Sequence, residues 1–417
     1  MIRRSSALLV IVLSLLSVSL TPSASFAQSK PQKPTTTTGD QKKNNRPSED
    51  DRKKAEEEQK RKEDEKNTII DDTVEKITTN IVSVDAVVIN KKSGQIINGL
   101  KKENFAIFEN GVKQDISSFA TPDSPITVSL VVEFSKWTEL FGMAAGGGWE
   151  PGTYEVIRPV AQFVSHFIKP PNDYASIIAF DIRPTPITDF TNDPRRLDAA
   201  VNILLRNQPA FRENNMFDAL KFALIGGTAD SVVLENSKQS KAEYGGMVDV
   251  RSKRRAIILV ASGIDTFSRT NYDQVRRIIQ EAGVPVYIIS TGNLFYKRYE
   301  QYLPAMDDIT GAPGRLTFLQ AQNTMNTLAK ESGGVHYAMT FEGEVNGYLQ
   351  NINAMLRSQY SLAYDLGEKH EAGKKYKLEV KVDIDGDGVY EDKAYLIQHK
   401  PFFTMPKAAD KASDKKK

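Results

Sequence analysis

The sequence predicts an α/β protein with a doubly wound, mostly parallel sheet, plus a small β domain formed by the segments on either side. Strand patterns alternate with amphipathic helical patterns between Ile126 and Arg357, and such alternation is typical of a parallel sheet covered on both faces. Ile126–Glu133 is almost entirely apolar and β-branched, as expected for a strand buried on both faces. Alternating apolar residues, typical of strands, occur again in the segments before and after this region. Ligands of such sheets bind beyond the carboxyl ends of the strands, so function is first sought around Glu133.

The central alternation resolves into individual elements. Asp193 before Pro194 fits a helix start, with the Asp as cap and the Pro in the first turn. Three long stretches fit no element: Glu139–Gly152, Thr228–Lys253 and Gly292–Gly314. The predicted strands are Ile126–Glu133, Ser176–Asp181, Ala256–Ala261, Val284–Ser290 and Val335–Ala338, and the predicted helices are Tyr154–Ile168, Pro194–Leu205, Met216–Ile225, Tyr272–Ala282, Arg315–Lys330 and Glu342–Leu356.

Short strand patterns occupy the two flanking segments, residues 74–122 and 358–405. Asn110-Gly111 lies between apolar residues of the first segment, which predicts a hairpin with a type I′ turn. The first segment is too short to be stable alone. We therefore expect the two segments to pair in one β domain, with residues 126–357 inserted between them.

The composition excludes several classes of protein. The 55 basic and 53 acidic residues nearly cancel to a net charge of +2, which argues against a general nucleic-acid binder. There is no Cys, so disulfides and thiolate metal sites are excluded. The four histidines, His166, His336, His370 and His399, are scattered, and no zinc-protease motif, nucleophile elbow or phosphate loop is present. We therefore expect a protein that is not an enzyme.

The first 27 residues predict export. Arg3 and Arg4 precede the apolar run Leu8–Leu20, and small residues end at Ala27 where a signal peptidase would cut. The run is 13 residues long, shorter than the ~20 residues of a membrane span. An uncleaved anchor is the alternative. The mature chain is expected to be periplasmic or extracellular, without a transmembrane span.

Polar tails flank the folded part of the chain. Residues 28–67 contain almost no apolar residue, so burial cannot offset the entropy of folding them. We expect a disordered, charged tether there. The Lys-rich residues 406–417 are expected to be a disordered tail for the same reason.

Four motifs carry a resemblance to a known family. They are Gly99–Phe105 with Phe108–Gly111, then Ile126–Trp137, Met216–Leu220 and Arg255–Asp265. Together they resemble the VWFA-related proteins described from acidobacteria, which contain a von Willebrand factor A domain. The resemblance covers about four-fifths of the chain, residues 74–403. It implies a binding rather than a catalytic protein.

The resemblance also implies a position for a metal-ion-dependent adhesion site. In the family, a D-x-S-x-S motif and oxygens from two neighbouring loops converge on Mg²⁺. The corresponding residues of this chain are Glu133, Ser135, Trp137, Asn214 and Ser262. Only Ser135 is retained from the family pattern, Trp137 offers no oxygen, and Ser262 removes a negative charge.

Two interpretations of this degenerate site are open. In one, Glu133, Ser135, Asn214, Ser262 and Asp265 still hold a weak cation. In the other, which we favour, the site has lost its metal because too little negative charge converges to withdraw Mg²⁺ from water. We therefore expect no required cofactor and no Mg²⁺ at this face.

Aromatic residues in the long loops are candidate partner contacts. Trp137, Trp149, Tyr296 and Tyr299 follow predicted strands, and such rings are enriched at interaction surfaces. The alternative is that they only pack the loops together.

An acidic motif near the carboxyl terminus is a second candidate metal site. Asp383, Asp385, Asp387 and Gly388 form D-x-D-x-D-G, the first half of a calcium loop, but Ala394 occupies the position of the final Glu. Apolar strand patterns on both sides equally suit a hairpin turn. A metal-free hairpin and a calcium-bound turn both remain open.

The sequence thus predicts an exported, non-catalytic module that binds another protein at the cell envelope through the carboxyl face of its sheet. A structural or assembly scaffold without its own ligand site is one alternative. A metal-dependent adhesin is another. The partner and the oligomeric state are not specified by the sequence.

Overall fold

The computed structural model describes residues 81–405 except 123, 137–151, 230–241, 251, 253, 310–311, 342 and 368–369 (helix α1 below is described from residue 152). The predicted signal peptide, tether and tail, together with Trp137 and Trp149, lie outside the described residues. Within the described part of the chain, no helix has both the length and the apolar character needed to cross a membrane.

The elements are numbered here in chain order. The strands are β1 (Ile81–Asn90), β2 (Phe105–Glu109), β3 (Val112–Gln114), β4 (Ile116–Ala120), β5 (Ile126–Glu133), β6 (Tyr174–Phe180), β7 (Pro184–Thr191), β8 (Gly227–Ala229), β9 (Ala242–Tyr244), β10 (Arg254–Ala261), β11 (Val286–Ser290), β12 (His336–Ala338), β13 (Tyr360–Asp365), β14 (Lys375–Val382), β15 (Tyr395–Gln398) and β16 (Phe402–Thr404). The helices are α1 (Gly152–Phe167), α2 (Pro194–Arg206), α3 (Met216–Ile225), α4 (Tyr272–Ala282), α5 (Gly292–Tyr299), α6 (Arg315–Ser332) and α7 (Glu344–Arg357).

A six-stranded sheet forms the centre of the molecule, in the order β12-β11-β10-β5-β6-β7. Neighbouring strands run parallel except β7, which pairs antiparallel with β6. All eight residues of β5 are buried. Val128, Leu130 and Val132 belong to the core shared with α1, α2 and α7, whereas Val131 belongs to the core shared with α3, α4 and α6. The predicted doubly wound sheet is therefore present.

Several predicted elements have the bounds that the sequence pattern gave them. This holds for β5, α3 and α4. Helix α2 also begins as predicted, because Asp193 Oδ1 accepts a hydrogen bond of 2.9 Å from Arg195 N directly after Pro194.

Four elements of the central part were missed. Two of them, the short antiparallel strands β8 and β9, extend into the stretch Thr228–Lys253 that was expected to hold no element. Strand β7 contains Pro184 and Pro186, which weaken a strand pattern, but as an antiparallel edge strand it tolerates residues without an N–H. Helix α5 lies in the stretch 292–314 that was expected to hold no element. Its Phe295 packs against Phe318 of α6, with ring centroids 5.5 Å apart.

The flanking segments form two further sheets, in the orders β15-β1-β13-β4 and β16-β14-β2-β3. Each sheet combines strands from both ends of the chain, and residues of both line one apolar core. Asn110 and Gly111 have φ values of 49° and 83°, as the predicted type I′ turn requires. Pairing of the two segments is thus observed. Their separation from the central sheet as a distinct domain stays a prediction, because the described residues belong to one compact unit.

Arg254 is the first residue of β10. It contacts both places where the chain crosses between the flanking segments and the central sheet. The side chain is fully buried. Its guanidinium donates to the carbonyl oxygens of Thr121 (2.7 Å) and Pro122 (2.7 Å), where the chain enters β5. It also donates to Gln359 O (2.6 Å) and, at 3.4 Å, to Leu356 O, where the chain returns to β13. One cation therefore holds the entering and the returning segment.

Candidate functional site at the carboxyl ends of the strands

The structure brings together four of the residues that the resemblance placed at the adhesion site. Glu133 ends β5, Ser135 follows it, Asn214 precedes α3, and Ser262 follows β10. All four are at most 1% exposed. The three loops therefore meet behind the surface of the sheet's carboxyl edge.

The carboxylate of Glu133 is the centre of this cluster. Its Oε1 accepts hydrogen bonds from Ser135 Oγ (2.5 Å) and Asn214 Nδ2 (3.1 Å), and its Oε2 accepts one from Ser262 N (2.6 Å). Burial raises the pKa of Glu133 above its usual range, although these donors act in the opposite direction. A glutamate is one methylene longer than the aspartate of the family motif, and it extends to groups on both neighbouring loops.

In the arrangement described, this set of groups does not form a Mg²⁺ ligand shell. Mg²⁺ requires near-octahedral oxygen ligands, whereas the N–H and O–H groups of the cluster point at one carboxylate. Asn214 Oδ1 is a buried oxygen without a hydrogen-bond partner among the described residues, but a single amide oxygen supplies no charge. The hydrogen bonds of Glu133 join the loops that a shared cation joins in the family.

Asp265 caps a helix in this structure, and its role as a metal ligand stays a prediction. Its Oδ2 accepts hydrogen bonds from Phe217 N (2.9 Å) and Ser268 Oγ (2.6 Å). The carboxylate thus caps the first turn of α3, where a negative charge is favourable. The following residues, Thr266 and Phe267, donate their backbone N–H groups to Asn214 O. Asp265 therefore orders the loop beside the cluster.

Two exposed phenyl rings border the cluster, and sequence reasoning missed both. Phe211 is 44% exposed, and its carbonyl accepts the N–H of Lys136 beside Ser135. Phe267 is 57% exposed, and its N–H donates to Asn214 O (2.8 Å). Their proximity in sequence to Asn214 and Asp265 was the signal that could have identified them.

The two tyrosines chosen from the sequence are packed. Tyr296 and Tyr299 are half-buried. Their ring contacts are with Phe318 at 6.1 Å and Phe295 at 4.8 Å, respectively. Tyr296, Phe295 and Phe318 belong to one small apolar cluster with Ile264. A role in partner binding stays a prediction for both tyrosines.

A recess of about 360 Å³ lies beside Phe267. Its lining includes Arg183, Lys221 and Arg269, all exposed, and the carboxylate of Asp218. Asp218 accepts hydrogen bonds from the N–H groups of Arg269 and Thr270. Cationic side chains thus outnumber acidic ones on the walls of this recess.

The acidic carboxyl-terminal motif connects strands of two different sheets. The predicted hairpin is wrong, because β14 pairs with β2 and β16 whereas β15 pairs with β1. A metal-free turn and a calcium-bound turn both stay predictions. Carboxylate oxygens of Asp383, Asp385 and Glu391 lie within 4.8 Å of one another, and Asp387 is outside this group. Asp383 also accepts hydrogen bonds from Gly386 N (2.7 Å) and Gly388 N (2.8 Å), as in a metal-free turn.

The topology of the central sheet decides the fold. The order is that of a doubly wound sheet, only the edge strand is antiparallel, and the motif residues converge after β5 and β10. The fold is von Willebrand factor A-like.

Comparisons with known proteins add modest similarities. No family model and no curated protein matches the chain. Among solved structures, the PilB minor pilin from Streptococcus sanguinis is 13% identical, with a TM-score of 0.36, over 56% of this chain and 61% of that chain. Proximal thread matrix protein 1 from the mussel byssus is 11% identical, with a TM-score of 0.38, over 60% and 51%. BatB from Bacteroides thetaiotaomicron is 14% identical, with a TM-score of 0.35, over 56% and 100%. The chain spans less than two-thirds of the pilin and the byssus protein.

Proposed function

We propose that the protein is an exported, non-catalytic binding module whose carboxyl face binds another protein without a metal ion. The observation that carries the proposal is the Glu133 cluster. Hydrogen bonds from three loops keep the face ordered, and they engage both oxygens of the Glu133 carboxylate. Neither a cofactor nor a metal is needed for a face built in this way.

The surface beside the cluster supports a partner with both apolar and acidic groups. Phe211 and Phe267 expose large apolar area, and aromatic and arginine side chains dominate the energetics of protein interfaces. Arg183 and Arg269 border the recess next to Phe267. In a metal-containing A domain, Mg²⁺ attracts the acidic group of a partner. In this chain, arginine side chains would supply that attraction, and Phe267 would supply the apolar contact.

A peptide selection tests this proposal. Peptides selected from a random display library on the mature chain are expected to combine acidic and aromatic residues. Phe267→Ser should weaken their binding by at least about tenfold, because a buried interface aromatic contributes ~2 kcal/mol or more. Val112→Ser is the matched control, since Val112 is 63% exposed but lies in the flanking hairpin.

Three results would contradict the proposal. Binding that requires Mg²⁺ or Mn²⁺ would indicate a metal-dependent adhesin. Equal loss in the Val112→Ser control would show that Phe267 is not part of the contact. Failure to select any peptide for this face would favour a scaffold that has no ligand site of its own.

A further inference from the structure

A small polar recess lies at the opposite end of the central sheet from the Glu133 cluster. It has a volume of about 60 Å³, which is room for a few waters or one small polyatomic ion. The walls come from β1, β10, β11 and the carboxyl-terminal segment, and include Asp85, Arg255, Tyr287, Gln359 and Lys400. Ser83 and Gly283 form the exposed rim.

The charges of this recess do not balance. Asp85 interacts electrostatically with Lys400, Arg254 and Arg255, and it is the only carboxylate that lines the recess. Its side chain accepts a hydrogen bond from Ser361 Oγ (2.7 Å) rather than from a cation. Three cations therefore share one carboxylate. Asp85, Arg255 and Lys400 are half-buried, so solvent screens the excess charge only in part.

The two cations on the walls retain donor groups. Lys400 Nζ makes no hydrogen bond or ion pair with a described residue, and its contact is with the ring of Phe403 at 5.9 Å. Burial lowers the pKa of Lys400 to about 8. Arg255 donates through Nη1 to the carbonyls of Met247 and Val248, while Nε and Nη2 make no hydrogen bond to the described residues.

Gln359 provides an independent observation. It lines the recess and is 3% exposed. Its Nε2 donates to Tyr287 Oη (3.3 Å), but its Oε1 is buried without a partner among the described residues. A buried acceptor left without a donor costs ~1–3 kcal/mol. The recess thus offers excess positive charge together with one unsatisfied acceptor.

We propose that this recess binds a small oxyanion that carries a hydroxyl group, with hydrogen phosphate as the ligand that fits best. The anionic oxygens neutralise Lys400 and Arg255, and the hydroxyl donates to Gln359 Oε1. Sulfate matches phosphate in shape and size but has no proton to donate at neutral pH, so Gln359 discriminates between the two. The bound anion connects β1 and the carboxyl-terminal segment to the amino-terminal ends of β10 and β11.

Calorimetric titration of the mature chain at pH 7 and constant ionic strength tests the proposal. Inorganic phosphate should bind with saturation, sulfate at least about tenfold more weakly, and chloride not at all. Lys400→Met should abolish phosphate binding. Lys374→Met is the matched control, because Lys374 lies in a solvent-exposed ion pair with Glu371, and it should bind as the wild type does.

A second variant keeps the test independent of folding defects. Gln359→Met should reduce the preference for phosphate over sulfate while binding of both anions persists. Methyl phosphate, titrated below its second pKa so that it keeps one hydroxyl, distinguishes a free anion from a phosphomonoester. Binding equal to that of phosphate at the same pH assigns the site to an ester whose substituent leaves through the rim at Ser83. The proposal is overturned if wild type and Lys400→Met respond alike to phosphate, or if sulfate binds the wild type as tightly as phosphate.

Discussion

Charged side chains have different hydrogen-bonding surroundings at the two ends of the central sheet. At the carboxyl end, a single carboxylate, Glu133, has a donor for each oxygen. At the amino end, both terminal nitrogens of Arg254 donate to carbonyl groups, but Lys400 at the same end makes no hydrogen bond to a described residue. A buried charge surrounded by hydrogen-bonding groups stabilises the loops that it joins. A buried charge without them instead marks a place where something else can bind.

The largest effect is expected for Arg254, the satisfied cation at the amino end. Arg254→Met removes the donors for carbonyls of both crossings, so the free energy of unfolding should fall by about 3–5 kcal/mol. Urea denaturation measures this loss. Lys400→Met, a substitution of the same kind at a cation without a close partner among the described residues, should leave the free energy of unfolding unchanged or raise it by about 1–2 kcal/mol at pH 7 in phosphate-free buffer. Equal losses for the two variants would remove the proposed distinction.

Glu133→Ala should come next, with a loss of about 3 kcal/mol, because the buried donors of Ser135, Asn214 and Ser262 lose their acceptor. Glu133→Gln keeps one acceptor oxygen and should lose roughly half as much. Unfolding curves in urea, recorded with and without Mg²⁺, measure both variants. Stabilisation of the wild type by Mg²⁺ would mean that the cluster holds a cation after all.

The pH dependence should differ in sign at the two ends. The folded pKa of Lys400, about 8, lies below its unfolded value of 10.5. The unfolded chain therefore binds more protons between these values, and stability rises with pH across this window. Solvent at the open rim should limit the gain to about 1–2 kcal/mol. Comparison of wild type with Lys400→Met between pH 7 and 10.5, without phosphate, isolates this contribution.

At Glu133 the folded pKa is raised. The folded chain therefore holds its proton to higher pH, and acidification towards the unfolded pKa near 4.5 stabilises it. The difference in the free energy of unfolding between wild type and Glu133→Gln, followed over the acidic pH range, measures the contribution of Glu133 protonation. A stability of the wild type that falls relative to the Gln variant on mild acidification would contradict the assignment.

The smallest effect is expected at the acidic turn between β14 and β15, where solvent screens the carboxylates. If this turn folds without metal, 1 mM Ca²⁺ should change the melting temperature of the wild type by no more than about 1 °C. Differential scanning calorimetry measures this shift. A larger increase that Asp383→Ala/Asp385→Ala abolishes would establish the calcium-bound turn instead.

The fold could be predicted from the sequence because it is determined largely by local sequence patterns. The buried run of β5 and the caps of α2 and α4 depend on neighbours in sequence. The resemblance further placed Glu133 and Ser262 at one edge. It could not specify that Glu133 itself joins the loops, because that depends on side-chain reach across three of them.

The amino-end recess could not be found from the sequence. Asp85, Gln359 and Lys400 come from distant segments, and each alone is an unremarkable residue of a strand or strand end. Only the pairing of β1 with β13 and β15 brings them together. Strand β7 was missed for a local reason, because Pro184 and Pro186 weaken its strand pattern.

The pairing of β1 with the far end of the chain has a consequence for the order of events during synthesis. Asp85 and Ser361, which hydrogen-bond across β1 and β13, are 276 residues apart in sequence. Contacts between residues so far apart in sequence form late in folding. During synthesis, the strands of this sheet cannot pair until its last strands have been made. The apolar face of β1 therefore stays uncovered until residues beyond Tyr360 emerge. A chain that ends before Tyr360 should be retained by chaperones or degraded, even when its central sheet is complete.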